Sequence, residues 1–182
     1  MFTAKEKKLL LETAWQSIER GLIENMALDP EPEEFPEPLR QILASFVTLK
    51  INGQLRGCIG TTGACSPLVI SVADNAYAAA FRDPRFQPLN KNEFTRIKTS
   101  ISVLGSPQPI EFKTDQELIS QLRPGIDGLI IEKNEYRATF LPAVWESVSE
   151  PGDFLRHLKH KAGMTQSCVP EKAWLYQAIS IE

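Results

Sequence analysis

Phe46-Val47-Thr48-Leu49-Lys50-Ile51, then Asn52-Gly53, then Gln54-Leu55-Arg56-Gly57-Cys58-Ile59: two runs rich in strand-forming residues flank the dipeptide best able to supply two successive positive φ angles. That is the requirement of a tight type I′ turn, so the segment is a β-hairpin. Side chains alternate along a strand, which puts Arg56 and Cys58 on one face with α-carbons roughly 6.6 Å apart. A two-residue turn sets Arg56 opposite Leu49 and Cys58 opposite Val47, among apolar neighbours.

N-terminal to the hairpin, Thr3 and Glu6 form a capping box, and Leu9, Leu10, Ala14, Trp15, Ile18 and Leu22 recur at helical spacing, giving an amphipathic helix that ends near Gly21. Residues 29–38, Asp-Pro-Glu-Pro-Glu-Glu-Phe-Pro-Glu-Pro, combine proline with acid and read as an extended surface loop without helix or central strand. C-terminal to the hairpin, Ser66 and Pro67 are the N-cap and first residue of an alanine-rich helix over Leu68 to Phe81, which Asp83-Pro84 stops. Ile97 to Leu104 is a strand, and Thr114 with Glu117 caps a short helix. Asp127 to Glu132 and Tyr136 to Leu141 form a second hairpin through Lys133-Asn134-Glu135. Phe154 to Ala162 is a helix closed by Gly163, and Trp174, Tyr176, Ala178 and Ile179 mark one closing strand with imperfect alternation. Hairpins mixed with helices, without regular βαβ alternation, give an α+β fold with a mainly antiparallel sheet and flanking helices.

The 182 residues, 42% of them apolar, suit one domain, 1–182, or two closely joined subdomains. Twenty Lys and Arg against 23 Asp and Glu leave a net charge of -3, which gives no global attraction to nucleic acid. The N-terminal residues lack the apolar stretch of a signal peptide, and no run approaches the roughly 20 apolar residues of a membrane span; a cytoplasmic location is expected, with no membrane partner. Cys58, Cys65 and Cys168 are odd in number and lack CxxC spacing, which argues against a disulfide framework and a structural zinc site. No dinucleotide, Walker or nucleophile-elbow motif occurs, and no cofactor is required.

Candidate chemistry centres on Cys58. A guanidinium from Arg56 favours thiolate, the nucleophilic form, which makes Cys58 and Arg56 the candidate catalytic pair. Burial opposes this, so an ordinary packed cysteine is the competing reading. Gly57 and Gly60 would let a ligand approach the backbone or let the strand bend. Arg82, Asp83 and Arg85 form either an internal ion-pair lock or a site for a small anionic ligand. Cys65 precedes a helix but has no identified partner. His157 and His160 lie three apart on a helix, without an evident third metal ligand. Their neighbours Arg156, Lys159 and Lys161 read as a solvated basic face near the helix C-terminus.

Leu55-Arg56-Gly57-Cys58-Ile59-Gly60-Thr61 resembles the signature of the AMMECR domain family, also called AmmeMemoRadiSam system protein A. Ala80 to Phe86, Ala138 to Trp145, and Phe154-Leu155 through Lys161-Ala162-Gly163 resemble further family segments in the same order. The resemblance covers nearly the whole chain. It implies an α+β fold of a larger and a smaller subdomain sharing a cleft, with the signature, including Thr61, lining it. It also implies association with a Memo-like protein and a radical SAM protein. This chain has no cysteine triad for an iron-sulfur cluster, so a partner would carry that chemistry. The functional expectation is an enzyme or enzyme accessory; a noncatalytic ligand- or protein-binding adaptor is the alternative.

Overall fold

A computed structural model describes residues 2–182. Helix α1 (Ala4–Glu24) begins at the expected capping box, with Thr3 Oγ1 accepting from Glu6 N–H. It runs past Gly21 and stops at Asn25, which takes the left-handed conformation at φ 55° and donates its N–H to the Gly21 carbonyl. The residue that ends the helix is therefore Asn25. Gly21 serves packing instead: a Cβ there would lie 2.3 Å from the Phe81 ring.

The proline-acid segment is not devoid of helix. It contains one 3-10 turn, Pro32–Glu34, and the start of α2 (Glu37–Arg40), because proline is tolerated in a first turn whose N–H groups need no intrahelical partner. Strands β1 (Ser45–Ile51) and β2 (Gln54–Gly60) then form the hairpin, with Asn52 at φ 52° and Gly53 at φ 79°. Helix α3 (Leu68–Phe81) follows; Pro67 precedes it as N-cap without a side-chain cap, one residue later than the Ser66 expectation. The first half ends with α4 (Lys91–Phe94) and β3 (Ile97–Leu104).

The second half comprises β4 (Gln108–Ile110), α5 (Asp115–Ser120), β5 (Gly128–Lys133), β6 (Tyr136–Phe140), a 3-10 turn at Pro142–Glu146, α6 (Pro151–Ala162), β7 (Lys172–Tyr176) and β8 (Ala178–Ile181). The expected single closing strand is two strands that belong to different sheets, which accounts for the broken alternation around Gln177.

The α+β class holds. The chain forms two compact units, residues 1–103 with 179–182, and residues 104–178. The first carries a sheet ordered β2-β1-β3-β8 and the second a sheet ordered β4-β7-β5-β6. In the first, Val47 and Leu49 of β1, Ile97 and Ile101 of β3 and Ile181 of β8 share a core with Leu10, Ala14 and Ile18 of α1 and with α3. Alanines at 73, 76, 79 and 80 make α3 thin enough to lie against both α1 and the hairpin. Ser17 Oγ donates to the Ala73 carbonyl at 2.7 Å, and Asn75 Nδ2 donates to the Ser45 carbonyl at 3.1 Å, so these two buried side chains are satisfied.

In the second unit, Trp145 stacks on Phe154 with ring centroids 3.8 Å apart, while its indole N–H donates to the Asp127 carbonyl. Lys159 corrects an expectation here. It is 1% exposed, not part of a solvated basic face, and its ammonium donates to Asp115 Oδ2 and to the Gln166 carbonyl. Two of its helix neighbours, Arg156 and Lys161, are exposed.

Gly57 shows what the hairpin requires. A Cβ there would lie 2.1 Å from the Ala79 carbonyl oxygen of α3, whereas one at Gly53 would meet nothing within 4 Å. Gly57→Ala should cost about 3 kcal/mol or more by forcing two backbones apart, and Gly53→Ala about 1–2 kcal/mol through its positive φ alone. Urea unfolding of the two variants checks the difference; equal losses would contradict the packing account.

Candidate functional site

The register of the hairpin sets the site. Ile51 pairs with Gln54 and Lys50 with Leu55, but Leu49 pairs with Gly57, leaving Arg56 as the extra residue of a β-bulge. Every later partner is shifted by one, so Cys58 lies opposite Thr48 rather than Val47. The shift overturns the apolar setting expected for the thiol. Cys58 Sγ and Thr48 Oγ1 are 3.2 Å apart, within hydrogen-bonding distance for sulfur. Thr48 in turn pairs with Ser100 of β3, so thiol and two hydroxyl residues form a row across the sheet face opposite Val47 and Leu49. All three are half-buried.

Bulges re-aim side chains, and this one sends Arg56 toward α4. Its Nε and Nη2 donate to the two carboxylate oxygens of Glu93 at 2.7 and 2.9 Å, and Nη2 also donates to the Gln87 carbonyl. Glu93 is doubly used, since its Oε2 also accepts from the backbone and side chain of Asn90, the N-cap of α4. Hydrogen bonds from Arg56 hold the Glu93 carboxyl below its ordinary range and raise the pKa of Arg56 itself.

A second clamp holds the other side of Cys58. Asp83, only 4% exposed, accepts four hydrogen bonds: Oδ1 from Arg85 N–H and Nε, Oδ2 from Arg85 Nη2 and from the Cys58 N–H at 2.9 Å. Arg85 Nη2 also donates to the Cys58 carbonyl at 3.3 Å. The Arg85 guanidinium, above all, and the two backbone donors hold the Asp83 carboxyl well below the usual carboxylate range. The hydrogen bonds to Asp83 raise the pKa of Arg85. Phe86 lies between the clamps, its ring centroid 5.7 Å from the guanidinium carbon of Arg56 and 5.5 Å from that of Arg85.

Asp83 and Arg85 thus meet at the Cys58 backbone, whereas Arg56, expected beside the thiol, is turned by the bulge to Glu93; Asp83 and Arg85 form an internal ion-pair lock. Arg82 stands apart from the lock, over the Tyr77 ring at 5.0 Å. Gly57 faces α3, and Gly60 faces the Phe46 ring, where a Cβ would meet carbon at 2.4 Å. Thr61 closes a turn, its hydroxyl accepting from Gly63 N–H and donating to the Gly63 carbonyl. Cys65 is exposed, and Cys168 belongs to the second unit. His157 and His160 are exposed on α6; among the described residues no group of three or more His, Cys, Asp or Glu is placed to hold a metal ion. Among the described residues no helix is long and apolar enough to cross a membrane.

Sequence reasoning missed Glu93, Thr48 and Ser100. The spacing Asn90-x-x-Glu93 is a capping-box pattern that would have placed α4 and its acid. Thr48 and Ser100 follow only once the bulge is known.

Fold and site define a class: a two-unit α+β protein in which a Gly-Cys edge strand is clamped by two arginine-carboxylate pairs. Residues 11–181 match the AMMECR1 family, and the chain belongs to it. It is 36% identical over 168 residues to a protein of Methanothermobacter thermautotrophicus, covering 90% of this chain and 85% of that protein. A protein of Methanocaldococcus jannaschii is 34% identical over 167 residues, covering 89% and 81%. The crystal structure of uncharacterized protein PH0010 from Pyrococcus horikoshii superposes with a TM-score of 0.91 at 30% identity, covering 98% of this chain and 92% of that one.

Both clamp carboxylates bind their protons less tightly in the folded chain, so each stabilises the fold above the ordinary carboxylate pKa of about 4, and that contribution is lost as pH falls through the lower folded values. The chain should therefore lose stability between about pH 5 and pH 2. Asp83→Asn should cost about 2 kcal/mol at neutral pH and flatten this acid dependence, the figure being held down by the exposure of Arg85. Denaturant midpoints across pH for the two proteins are the check; parallel curves would contradict the assignment.

Proposed function

We propose that this protein is an accessory component whose working group is the Cys58 side chain, presented to a partner or to that partner's small substrate beside Memo-like and radical SAM proteins. One observation carries the reading: the strand bearing Cys58 is clamped through its backbone while the thiol stays half-exposed, with Thr48 as its side-chain hydrogen-bond partner. Among the described residues no carboxylate or imidazole hydrogen-bonds to the sulfur. Self-sufficient acid-base chemistry needs such a group within about 2.6–3.2 Å. The flanking guanidinium and carboxylate groups neutralise one another, so the thiol side chain is the part of the motif left for an external contact.

A second reading, in which Cys58 is itself a nucleophile, is supported by the Arg85 guanidinium, whose Nη2 reaches the Cys58 carbonyl at 3.3 Å. A positive charge near sulfur favours thiolate. The accessory reading takes precedence because that charge already has a carboxylate partner.

The test reconstitutes the chain with a Memo-like protein and a radical SAM protein from the same genome and follows complex formation by size-exclusion chromatography. Cys58→Ala should keep its melting temperature and weaken the complex about tenfold, a loss on the scale of one buried interface group. Cys65→Ala should leave it unchanged. Unaltered association by Cys58→Ala would refute the accessory role. Iodoacetamide labelling of the isolated chain supplies the other arm: on this reading Cys65 reacts first at neutral pH, and rapid labelling of Cys58 well below pH about 8.5 would transfer support to the nucleophile.

A further inference from the structure

A cavity of about 380 Å³ lies in the second unit, in the size range of small-molecule sites. Its lining includes Gln108 and Ile110 of β4, Leu175 of β7, and Arg123 and Asp127 from the loop between α5 and β5. The register puts the three strand residues on one sheet face: Gln108 pairs with Leu175, and Ile110, two places along β4, pairs with Ala173. Ile110 and Leu175 are half-buried and pack against the core of the unit, which gives the cavity an aliphatic wall.

Asp127 fixes the charged part of the lining. Its carboxylate, 1% exposed, accepts from Arg123 N–H and Nε through Oδ2 and from Arg123 Nη2 through Oδ1. The Trp145 indole donates to the Asp127 carbonyl at 2.7 Å, tying the same residue to the core. Arg123 itself is 58% exposed. The buried carboxylate therefore takes the Nε–Nη2 edge of the guanidinium, and the Nη1–Nη2 edge is left with two parallel N–H donors, the fork that matches the two oxygens of a carboxylate. Pairing with Asp127 balances the charge of Arg123 but does not consume these donors. A guanidinium already held in place also loses little freedom when a ligand binds.

We propose that this cavity binds a short aliphatic carboxylate, its two oxygens on the Nη1–Nη2 edge of Arg123 and its chain against Ile110 and Leu175. The fork selects the head group and the wall selects the body; inorganic phosphate would satisfy the fork alone. The site is separate from Cys58 and does not rest on the accessory reading.

The experiment titrates isovalerate, at constant ionic strength, into the full chain labelled with 15N-tryptophan and follows the Trp145 indole N–H, whose acceptor is the Asp127 carbonyl. Trp15→Phe and Trp174→Phe assign the resonance by elimination. A saturable shift with a dissociation constant of about 1 mM is expected. Isovaleramide, the neutral isostere, should bind about tenfold more weakly, and so should isovalerate to Arg123→Lys, which keeps the charge but loses the fork. Gln108→Glu alters an exposed side chain and should keep the melting temperature, yet it sets a negative charge on the lining and should weaken isovalerate about threefold. No saturable Trp145 shift up to about 20 mM, equal affinity for acid and amide, tighter binding of inorganic phosphate, or full affinity in Gln108→Glu would each overturn the proposal.

Discussion

The Asp83 carboxylate holds the edge of the first sheet. Strand β2 is the outermost strand there, and an edge strand presents unpaired N–H and C=O groups that would pair with another chain or be left to water. At Cys58 both are covered by side chains: Asp83 accepts the N–H and Arg85 donates to the carbonyl. The pair supplies one acceptor and one donor, as a neighbouring strand would. Its placement depends on α3, which ends at Phe81 just before Asp83 and rests on Gly57 through the Ala79 carbonyl. Any side chain at Gly57 would lift β2 off the helix, and the clamp would lose its geometry.

Most elements were legible because their signals are local. The Asn52-Gly53 turn, the Thr3 and Thr114 caps, the Gly163 stop and the strand at Ile97 to Leu104 each rest on a few adjacent residues whose backbone preferences agree. The bulge at Arg56 was not legible. Nothing within the hairpin distinguishes a regular ladder from one with an extra residue; the preference comes from Glu93, 37 positions away, which holds the displaced guanidinium. A one-residue shift of register exchanges a strand's faces, so a regular ladder gives Cys58 the wrong neighbours even where the hairpin itself is read correctly.

Lys159 shows the same limit from another direction. Its neighbours Arg156, His157, His160 and Lys161 make the stretch read as a solvated surface, and four of these five residues are exposed. The helical period turns the remaining one inward between Leu155 and Leu158 and the chain beyond Gly163. Burial is tolerable because Asp115 and the Gln166 carbonyl take up the ammonium group. Charge type alone therefore misassigned a residue that the apolar spacing of its own helix could have placed.

The clamps also bear on what the signature strand is for. A strand fixed by α3 packing, a bulge and two bidentate ion pairs has little freedom to move toward a substrate, so whatever meets Cys58 must come to it. Rigidity of this kind lowers the ordering cost of binding by holding the contact group in place beforehand. The Arg85 guanidinium beside the Cys58 backbone is already matched by Asp83. On the proposed accessory reading, this arrangement suits a docking point better than a self-contained catalyst. The charged residues flanking the motif hold its backbone, while the cysteine side chain is left to the sheet face shared with Thr48 and Ser100.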